Sequence, residues 1–269
     1  MGVTLAGSLQ NSGHDVAWAS EGRSRATCER ASKAGLADAG RLEDLRRRCD
    51  VLIAVCPPEF ADRQADEVLA TGWRGLYVDA NAISPQRVRR IAQRVIERGA
   101  DFVDGGIIGP PAVERGHTWL YLAGPRAAEI AAMFTAGPME SEVVSGAIGQ
   151  ASALKMCFAA YSKGSIALLA AVLGAAQAHG VIGDLKRQWK RNGPSLDVVE
   201  REIVRAAPKA WRFVEEMHEI AATFEAAGIP CGFHEAAAEL YSALAEFKGC
   251  ADPDLDAVLA RLLRTPGAL

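Results

Sequence analysis

The hydrophobic and polar positions follow two different periods along the chain. Up to about residue 144, short β-branched runs alternate with stretches in which apolar residues recur every three to four positions. The runs are 16–19, 51–55, 76–79, 102–103, 118–122 and 143–144, and the helical stretches between them are 25–33, 59–70, 85–97 and 125–134. This alternation, with short connections, predicts βαβ units and a mostly parallel sheet with helices on both faces.

After Val144 the strand pattern stops, and the remaining residues follow a helical period. Asp252 followed by Pro253 predicts an N-cap and a first turn for the last helix. Pro208 is expected to open another helix, which Gly228 closes. The sequence therefore predicts an α/β domain over residues 1–144 and an all-helical domain over residues 145–269.

One segment of the second half is almost free of charge. Between Glu142 and Asp184 only Lys155 and Lys163 are charged, and a helix is predicted from about residue 147 to residue 179. A membrane span is the alternative interpretation of 20 uncharged residues. The segment is rich in Ala and Gly and lacks interfacial aromatic anchors, so we favour a helix buried by its own domain and by a partner subunit.

Composition narrows the class of protein. The 269 residues carry a net charge of −3, which gives no basic field for nucleic acid. The six cysteines form no C-x-x-C pair and no ligand cluster with histidine, so neither a disulfide framework nor a metal site is predicted. The first ten residues do not have the pattern of a signal peptide. We expect a cytoplasmic protein without a membrane or nucleic-acid partner.

The first 16 residues are typical of the second half of a dinucleotide-binding unit. Gly2 precedes an apolar helical stretch, and a turn at Gly13 leads into the strand at 16–19. Such a unit normally begins with a strand and G-x-G-x-x-G, whose helix amides face the pyrophosphate. Glu21 lies about 20 residues after the glycine, where an acid binds the ribose. An ordinary helix–turn–strand with an incidental glycine explains these residues equally well.

Five segments in order resemble the β-hydroxyacid dehydrogenase and 6-phosphogluconate dehydrogenase superfamily. They are 1–16 (MGVTLAGSLQNSGHDV), 51–58 (VLIAVCPP), 78–85 (VDANAISP), 101–109 (DFVDGGIIG) and 146–155 (GAIGQASALK). The branch that the chain resembles has a short helical C-terminal domain without a settled substrate. The resemblance implies a Rossmann-type NAD(P)-binding domain, here without its first strand, followed by an all-α domain. Gly2 would face the pyrophosphate, while Pro57, Pro58 and Asn81 would line the nicotinamide end.

Lys155 is the strongest catalytic candidate. It lies near the start of the apolar helix, just after the predicted domain boundary, where a cleft is expected. Burial lowers the pKa of a lysine and suits it to proton transfer. From spacing alone, a lysine with its amine in water is the alternative interpretation. The resemblance implies a general base in oxidation and a general acid in reduction. Lys163 is expected to be structural.

Two family positions differ in this chain. Relatives carry Asn four residues after the lysine, where this chain has Ala159, and Ser162, two turns along the helix, could supply a hydroxyl. The substrate loop spans 104–110 with Gly105, Gly106, Ile108 and Gly109, and Ile108 replaces a serine that holds the substrate carboxylate in relatives. A more apolar or wider pocket is therefore expected.

Two further predictions concern anion binding. Arg212 could bind a carboxylate or phosphate, although an exposed arginine on an amphipathic helix is the alternative. Ser20 leaves room for the extra phosphate of NADP, and Arg23 and Ser24 suit it, while Glu21 favours NAD. We favour NADP.

Together these residues predict an NAD(P)-dependent oxidoreductase that acts on the CH–OH group of a small hydroxy acid, or reduces the keto acid. A homodimer through the helical domains is expected. Two alternatives stay open. One is an imine or ketone reductase of the same superfamily, against which the retained Lys155 counts. The other is a catalytically silent nucleotide-binding protein, because the first strand is missing.

Overall fold

A computed structural model describes residues 1–263, except the side chain of Ser145. The chain divides into two compact units, one from Met1 to Met156 and one from Cys157 onward. The predicted domain limits, 1–144 and 145–269, place the change earlier and stay a prediction. The long helix after the last strand begins in the first unit and continues into the second.

The first unit alternates short strands and helices. In chain order it contains α1 Gly2–Asn11, β1 Ala17–Trp18, α2 Arg25–Lys33, β2 Ala37–Asp38, α3 Leu42–Arg46, β3 Val51–Ala54, α4 Ala61–Ala70, β4 Leu76–Asp79, α5 Pro85–Glu97, β5 Asp101–Ile108, β6 Thr118–Ala123, α6 Ala127–Ala131 and β7 Met139–Ser145. The predicted bounds of α2, β4 and α5 are confirmed. The two-residue β2 and the five-residue α3 were not predicted, because neither is long enough to show a period.

The strands form two sheets. β1 pairs with β2 in parallel. The larger sheet has the order β3-β4-β5-β6-β7, with parallel neighbours except for the antiparallel pair β5–β6. Within residues 1–263, no strand joins β1 to β3. The mostly parallel sheet is confirmed.

Helices cover both faces of the larger sheet, as predicted. Successive residues of β4 point to opposite faces. Tyr77 belongs to a core cluster with Val68 of α4 and Ile91 of α5. Its neighbour Val78 belongs to a second cluster, in which Leu5 of α1 is also buried. The sheet is therefore buried on both sides, as parallel sheets are.

The second unit is helical throughout its described part. It contains most of α7 Gln150–Ala178, followed by α8 Ile182–Asn192, α9 Leu196–Ala206, α10 Ala210–Ala226, α11 Gly232–Ala243 and α12 Leu255–Leu262. The predicted helix over residues 147–179 corresponds to α7.

Two predicted helix starts were wrong. The last helix is capped by Asp254 and not by Asp252: Asp254 has the extended backbone of a cap, and its carboxylate accepts the Ala257 N–H at 3.1 Å. Pro208 lies in a 3₁₀ turn, and α10 begins two residues later at Ala210.

Helix α7 combines burial with an exposed apolar stripe. Lys163 is largely buried and pairs with Glu216 of α10 at 2.6 Å, which agrees with the structural role expected for it. Leu154, Phe158, Tyr161 and Leu168 are exposed at spacings of four, three and seven residues. By length and composition α7 could also cross a membrane, but core helices of soluble proteins pass the same test.

Candidate active site

The carboxyl ends of three neighbouring strands meet at one edge of the larger sheet. Ala54 of β3, Asp79 of β4 and Asp104 of β5 lie in one register row. Open α/β sheets bind ligands outside this edge. The predicted residues Pro57, Pro58 and Asn81 follow directly after the row, so three of the predicted cofactor positions lie at one edge of the first unit.

Asn81 ties two of the loops at this edge together. Its side-chain Oδ1 accepts the backbone N–H of Cys56 at 2.6 Å, immediately before the Pro57–Pro58 turn. Its own backbone N–H donates to Asp79 Oδ1 at 3.0 Å. Asn81 is 2% exposed, and its Nδ2 has no hydrogen-bond partner among the described residues. A buried amide with unused donors fits a polar group of a bound cofactor.

Asp79 is a buried carboxyl that the sequence analysis missed. It has no exposed surface, and its Oδ2 has no partner among the described residues. Burial, and to a smaller extent the neighbouring Asp104, raise the pKa of Asp79 to about 7, although hydrogen bonding with Asn81 opposes the rise. Asp79 is therefore largely neutral in mildly acidic solution. Burial also raises the pKa of the Cys56 thiol to about 12, so Cys56 does not supply a thiolate nucleophile.

Asp104 holds the beginning of α7. Its Oδ2 accepts the backbone N–H groups of Gly149, Ala151 and Ser152 at 2.8, 3.0 and 3.2 Å. Its Oδ1 accepts the Ser152 hydroxyl at 2.6 Å. Burial raises the pKa of Asp104, and the same hydrogen bonds oppose the rise. This contact connects β5 to the helix that carries Lys155.

Gly105 allows close packing of β5 against the end of β4, and Gly106 allows close packing against the candidate lysine. A Cβ at Gly105 would lie 3.0 Å from the carbonyl oxygen of Asp79. A Cβ at Gly106 would lie 2.7 Å from the carbonyl oxygen of Ala151 and 3.1 Å from Lys155 Cβ. The structure thus gives both glycines a packing role and places Lys155, which is half-buried, directly against β5.

The other two positions of the predicted substrate loop lie in and beside a hairpin. Ile108 is buried and pairs with Trp119 across β5 and β6. Gly109 has φ +125°, and a Cβ there would clash with the carbonyl oxygen of His117. Gly109 is therefore required by the hairpin itself. A role of either residue in substrate binding stays a prediction.

The N-terminal turn of α1 lies against the end of β3. Gly2 is the first residue of α1, and a Cβ there would be 3.8 Å from Val55 Cβ. The first N–H groups of a helix lack partners within the helix and attract anions. A role of Gly2 in binding the pyrophosphate stays a prediction.

The residues predicted to choose between NAD and NADP follow β1. Ser20 is half-buried, and Glu21, Arg23 and Ser24 are exposed. Ser24 caps α2 and is hydrogen-bonded to Thr27. Glu21 pairs with Arg41 at 3.7 Å. Arg23, which lies between Glu21 and Ser24 in the sequence, is exposed. Arg41 was not a predicted site residue, because it follows the unpredicted strand β2.

Asp38, at the end of β2, brings a further negative charge to this region. Hydrogen bonds from the Gly40 N–H and from the Ser20 hydroxyl lower the pKa of Asp38. Ser20, which was expected to leave room for the phosphate of NADP, therefore has its hydroxyl beside a carboxylate.

Two predicted substrate residues belong to the second unit. Ser162 is half-buried on α7, two turns after Lys155. Arg212 is exposed on α10, and its guanidinium carbon lies 4.9 Å from the Trp211 ring. Their roles stay predictions.

These features define a class: a Rossmann-type dinucleotide-binding unit followed by a helical unit. Residues 1–136 match the family described as the NAD binding domain of 6-phosphogluconate dehydrogenase. Residues 176–244 match a domain of unknown function, DUF1932. The chain belongs to the 6-phosphogluconate dehydrogenase-like, β-hydroxyacid dehydrogenase superfamily, which confirms the resemblance.

Three proteins are similar to this chain over most of its length. An uncharacterized 28.5 kDa protein from Methanothermus fervidus is 28% identical over 202 residues, 74% of this chain and 78% of the relative. The structure of a conserved hypothetical protein from Sinorhizobium meliloti 1021 is 25% identical, with 97% and 93% of the two chains covered and a TM-score of 0.69. A 3-hydroxyisobutyrate dehydrogenase from Mycobacterium tuberculosis, solved with L-serine, is 19% identical, with 97% and 95% covered and a TM-score of 0.69, and shows the fold alone.

Proposed function

We propose that the protein is an NAD(P)-dependent oxidoreductase that oxidises the CH–OH group of a small hydroxy acid or reduces the corresponding keto acid. The observation that carries the proposal is the placement of Lys155. Its Cβ packs against β5 at Gly106, in the same unit and at the same sheet edge as Asn81 and the Pro57–Pro58 turn. A proton donor and acceptor therefore lies near the loops that a nicotinamide would contact.

The chain's own residues divide the work in this proposal. The nicotinamide, when bound, accepts or donates the hydride. Gly2 and the first amides of α1 bind the pyrophosphate. Asn81 and the Pro57–Pro58 turn hold the nicotinamide end. Lys155 takes the hydroxyl proton during oxidation and returns it to the carbonyl oxygen during reduction.

NADP is the cofactor we favour, and the charges beside β1 and β2 bear on the choice. Arg23 and Arg41 are cations that suit a 2′-phosphate, and the Ser24 hydroxyl adds a donor. Glu21 and Asp38 oppose it, and either carboxylate suits the ribose hydroxyls of NAD. Arg41 is paired with Glu21 at 3.7 Å and with Glu43 at 3.1 Å, so the preference for NADP rests on Arg23 and Ser24.

The substrate is proposed to be more apolar than the small hydroxy acids of the better-known relatives. Ile108 occupies the position of a serine donor and offers no hydrogen bond. Ser162 and Arg212 are proposed to supply a hydroxyl and a cation to the substrate from the second unit.

A homodimer is part of the same proposal, as is a cytoplasmic location. The exposed stripe Leu154, Phe158, Tyr161 and Leu168 on α7 is the surface that a second copy would cover. Contiguous apolar surface of this kind is typical of protein interfaces.

The test is Lys155→Met, assayed for NADPH- and NADH-dependent turnover of a panel of keto and hydroxy acids. We expect at least a hundredfold loss of kcat with little change in cofactor affinity, because proton transfer contributes about 10²–10⁴-fold. Lys209→Met, on an exposed turn, is the control and should keep wild-type turnover. Intact turnover in the Lys155→Met protein would remove the proposal.

A second candidate is nucleotide binding without turnover. The division between the β1–β2 sheet and the β3–β7 sheet favours it, because a dinucleotide site normally spans a continuous sheet. Saturable NADPH binding, followed by fluorescence, without turnover of any panel member would support this candidate. Turnover of imines in place of keto acids would instead support the imine reductase alternative.

A further inference from the structure

The contact between Asp104 and α7 differs from an ordinary helix cap. Caps normally come from the residue next to the helix and satisfy one or two N–H groups. Asp104 lies 45 residues before Gly149, in the middle of the sheet, and accepts three backbone N–H groups and one hydroxyl from residues 149–152. The first turn of α7 is therefore fixed relative to β5 and not only relative to its own chain neighbours.

Lys155 is the residue that this contact places. Ala151 and Lys155 are four residues apart and share one face of α7. Gly106, two residues after Asp104, points to the same side of β5 as Asp104. A Cβ at Gly106 would touch both Ala151 and Lys155. Asp104 thus draws the helix onto the strand at the place where Gly106 leaves room for it.

The contact also carries a desolvation cost that a local, exposed cap would avoid. Burying a carboxylate is unfavourable, and replacing a buried charge network by apolar groups is often neutral or stabilising. Asp104 has no exposed surface, and burial raises its pKa in spite of four hydrogen bonds. A local serine or aspartate would cap α7 without this cost, but it would not join the helix to β5.

We infer that Asp104 is a positioning residue for the proposed reaction: together with Ser152, it holds Lys155 against β5 at the strand edge where the nicotinamide loops meet. The inference rests on the proposed role of Lys155. Asp104 does not touch substrate or cofactor in this account and acts only through the first turn of α7.

The test measures the amine of Lys155 directly and needs no substrate. The folded protein is treated briefly with acetic anhydride, and mass spectrometry gives the acetylation rate of Lys155 relative to the exposed Lys209. Asp104→Asn keeps the shape but removes the negative charge, and its amide offers one acceptor oxygen where the carboxylate offers two. We expect the rate ratio to change at least threefold. Ser152→Ala removes one hydrogen bond and should change it less, in the same direction.

Asp254→Asn is the matched control, since it makes the same change at the carboxylate cap of α12 and should leave the ratio unchanged. An unchanged ratio in a folded Asp104→Asn protein would overturn the inference. If Asp104→Asn does not fold, the acetylation ratio is measured in Ser152→Ala. A wild-type ratio in Ser152→Ala would then overturn the inference.

Measurements of turnover distinguish a positioning role of Asp104 from a role in stability alone. With any substrate found in the panel, Asp104→Asn should lower kcat at least tenfold per folded molecule and leave the KM for the cofactor within twofold. An altered acetylation ratio with wild-type kcat would overturn the inference. Wild-type turnover by Lys155→Met would instead overturn the proposed function, whatever the acetylation of Lys155 shows about its position.

Discussion

The polar groups at the carboxyl ends of β3, β4 and β5 differ from those at the ends of β1 and β2. Asp79, Asn81 and Asp104 are buried and held by backbone hydrogen bonds. Glu21 and Arg41 are more than half exposed and form a loose ion pair at 3.7 Å. Buried networks fix geometry, whereas exposed ion pairs are weak and easily exchanged. The polar groups of the first region are therefore held in a fixed geometry, whereas those of the second can rearrange.

The largest effect is expected from Asp79→Asn, measured as the free energy of unfolding against pH. Burial raises the pKa of Asp79 from 3.8 to about 7. Between these pH values the folded state binds more protons than the unfolded state. The contribution of Asp79 to the free energy of unfolding is therefore fully present below pH 3.8 and is lost as pH rises to about 7. Over this pH range the free energy of unfolding of the wild-type protein should therefore fall by about 4 kcal/mol more than that of Asp79→Asn.

Asp101→Asn is the control for this pH dependence. Asp101 lies on the exposed beginning of β5 and pairs with Arg126. Its variant should follow the wild-type pH curve. If Asp79→Asn also follows that curve, Asp79 is ionised in the folded protein like an exposed aspartate, and the contrast between the two regions fails.

A smaller effect is expected from adding one methyl group at each region. Gly106→Ala places a Cβ 2.7 Å from a backbone oxygen and should destabilise the fold by about 2–3 kcal/mol. Gly40→Ala, at the end of β2, meets nothing within 4 Å and is opposed only by its φ of +72°, at about 1 kcal/mol. Urea denaturation compares the two variants, and equal losses would contradict the difference in packing.

The smallest effect on stability is expected from Arg41→Ala. An exposed ion pair contributes less than about 0.5 kcal/mol, so the free energy of unfolding should hardly change. The affinity for NADPH should nevertheless fall severalfold relative to NADH in fluorescence titrations. Arg25→Ala, which removes an exposed pair with Glu29 on α2, is the control. Equal losses for both cofactors would remove Arg41 from the choice between them.

Local patterns in the sequence predicted several helices, strands and candidate site residues. They did not indicate residues whose roles depend on contacts with distant parts of the chain. The helical and strand periods predicted α2, β4 and α5, and motif order led to Asn81 and Lys155. Asp79 and Asp104 were not singled out as site residues. The role of Asp104 requires residues 149–152, and no spacing near it reveals that partnership.

Short elements explain the remaining misses. β2 has two residues and shows no alternation, so the position of Arg41 beside Glu21 could not be predicted. At the last helix, Asp252 and Asp254 are both plausible caps, and the extended backbone of Asp254 decides between them. A pattern identifies the type of an element more reliably than its end.

The central claim is that Lys155 and the nicotinamide share one site, and cofactor protection of the lysine tests it most directly. The acetylation rate of Lys155 is measured with and without saturating NADPH, with Lys209 as the internal reference. The account predicts that NADPH slows acetylation of Lys155 at least threefold and leaves Lys209 unchanged. NADPH that binds, as shown by its fluorescence, without slowing acetylation of Lys155 would contradict the account.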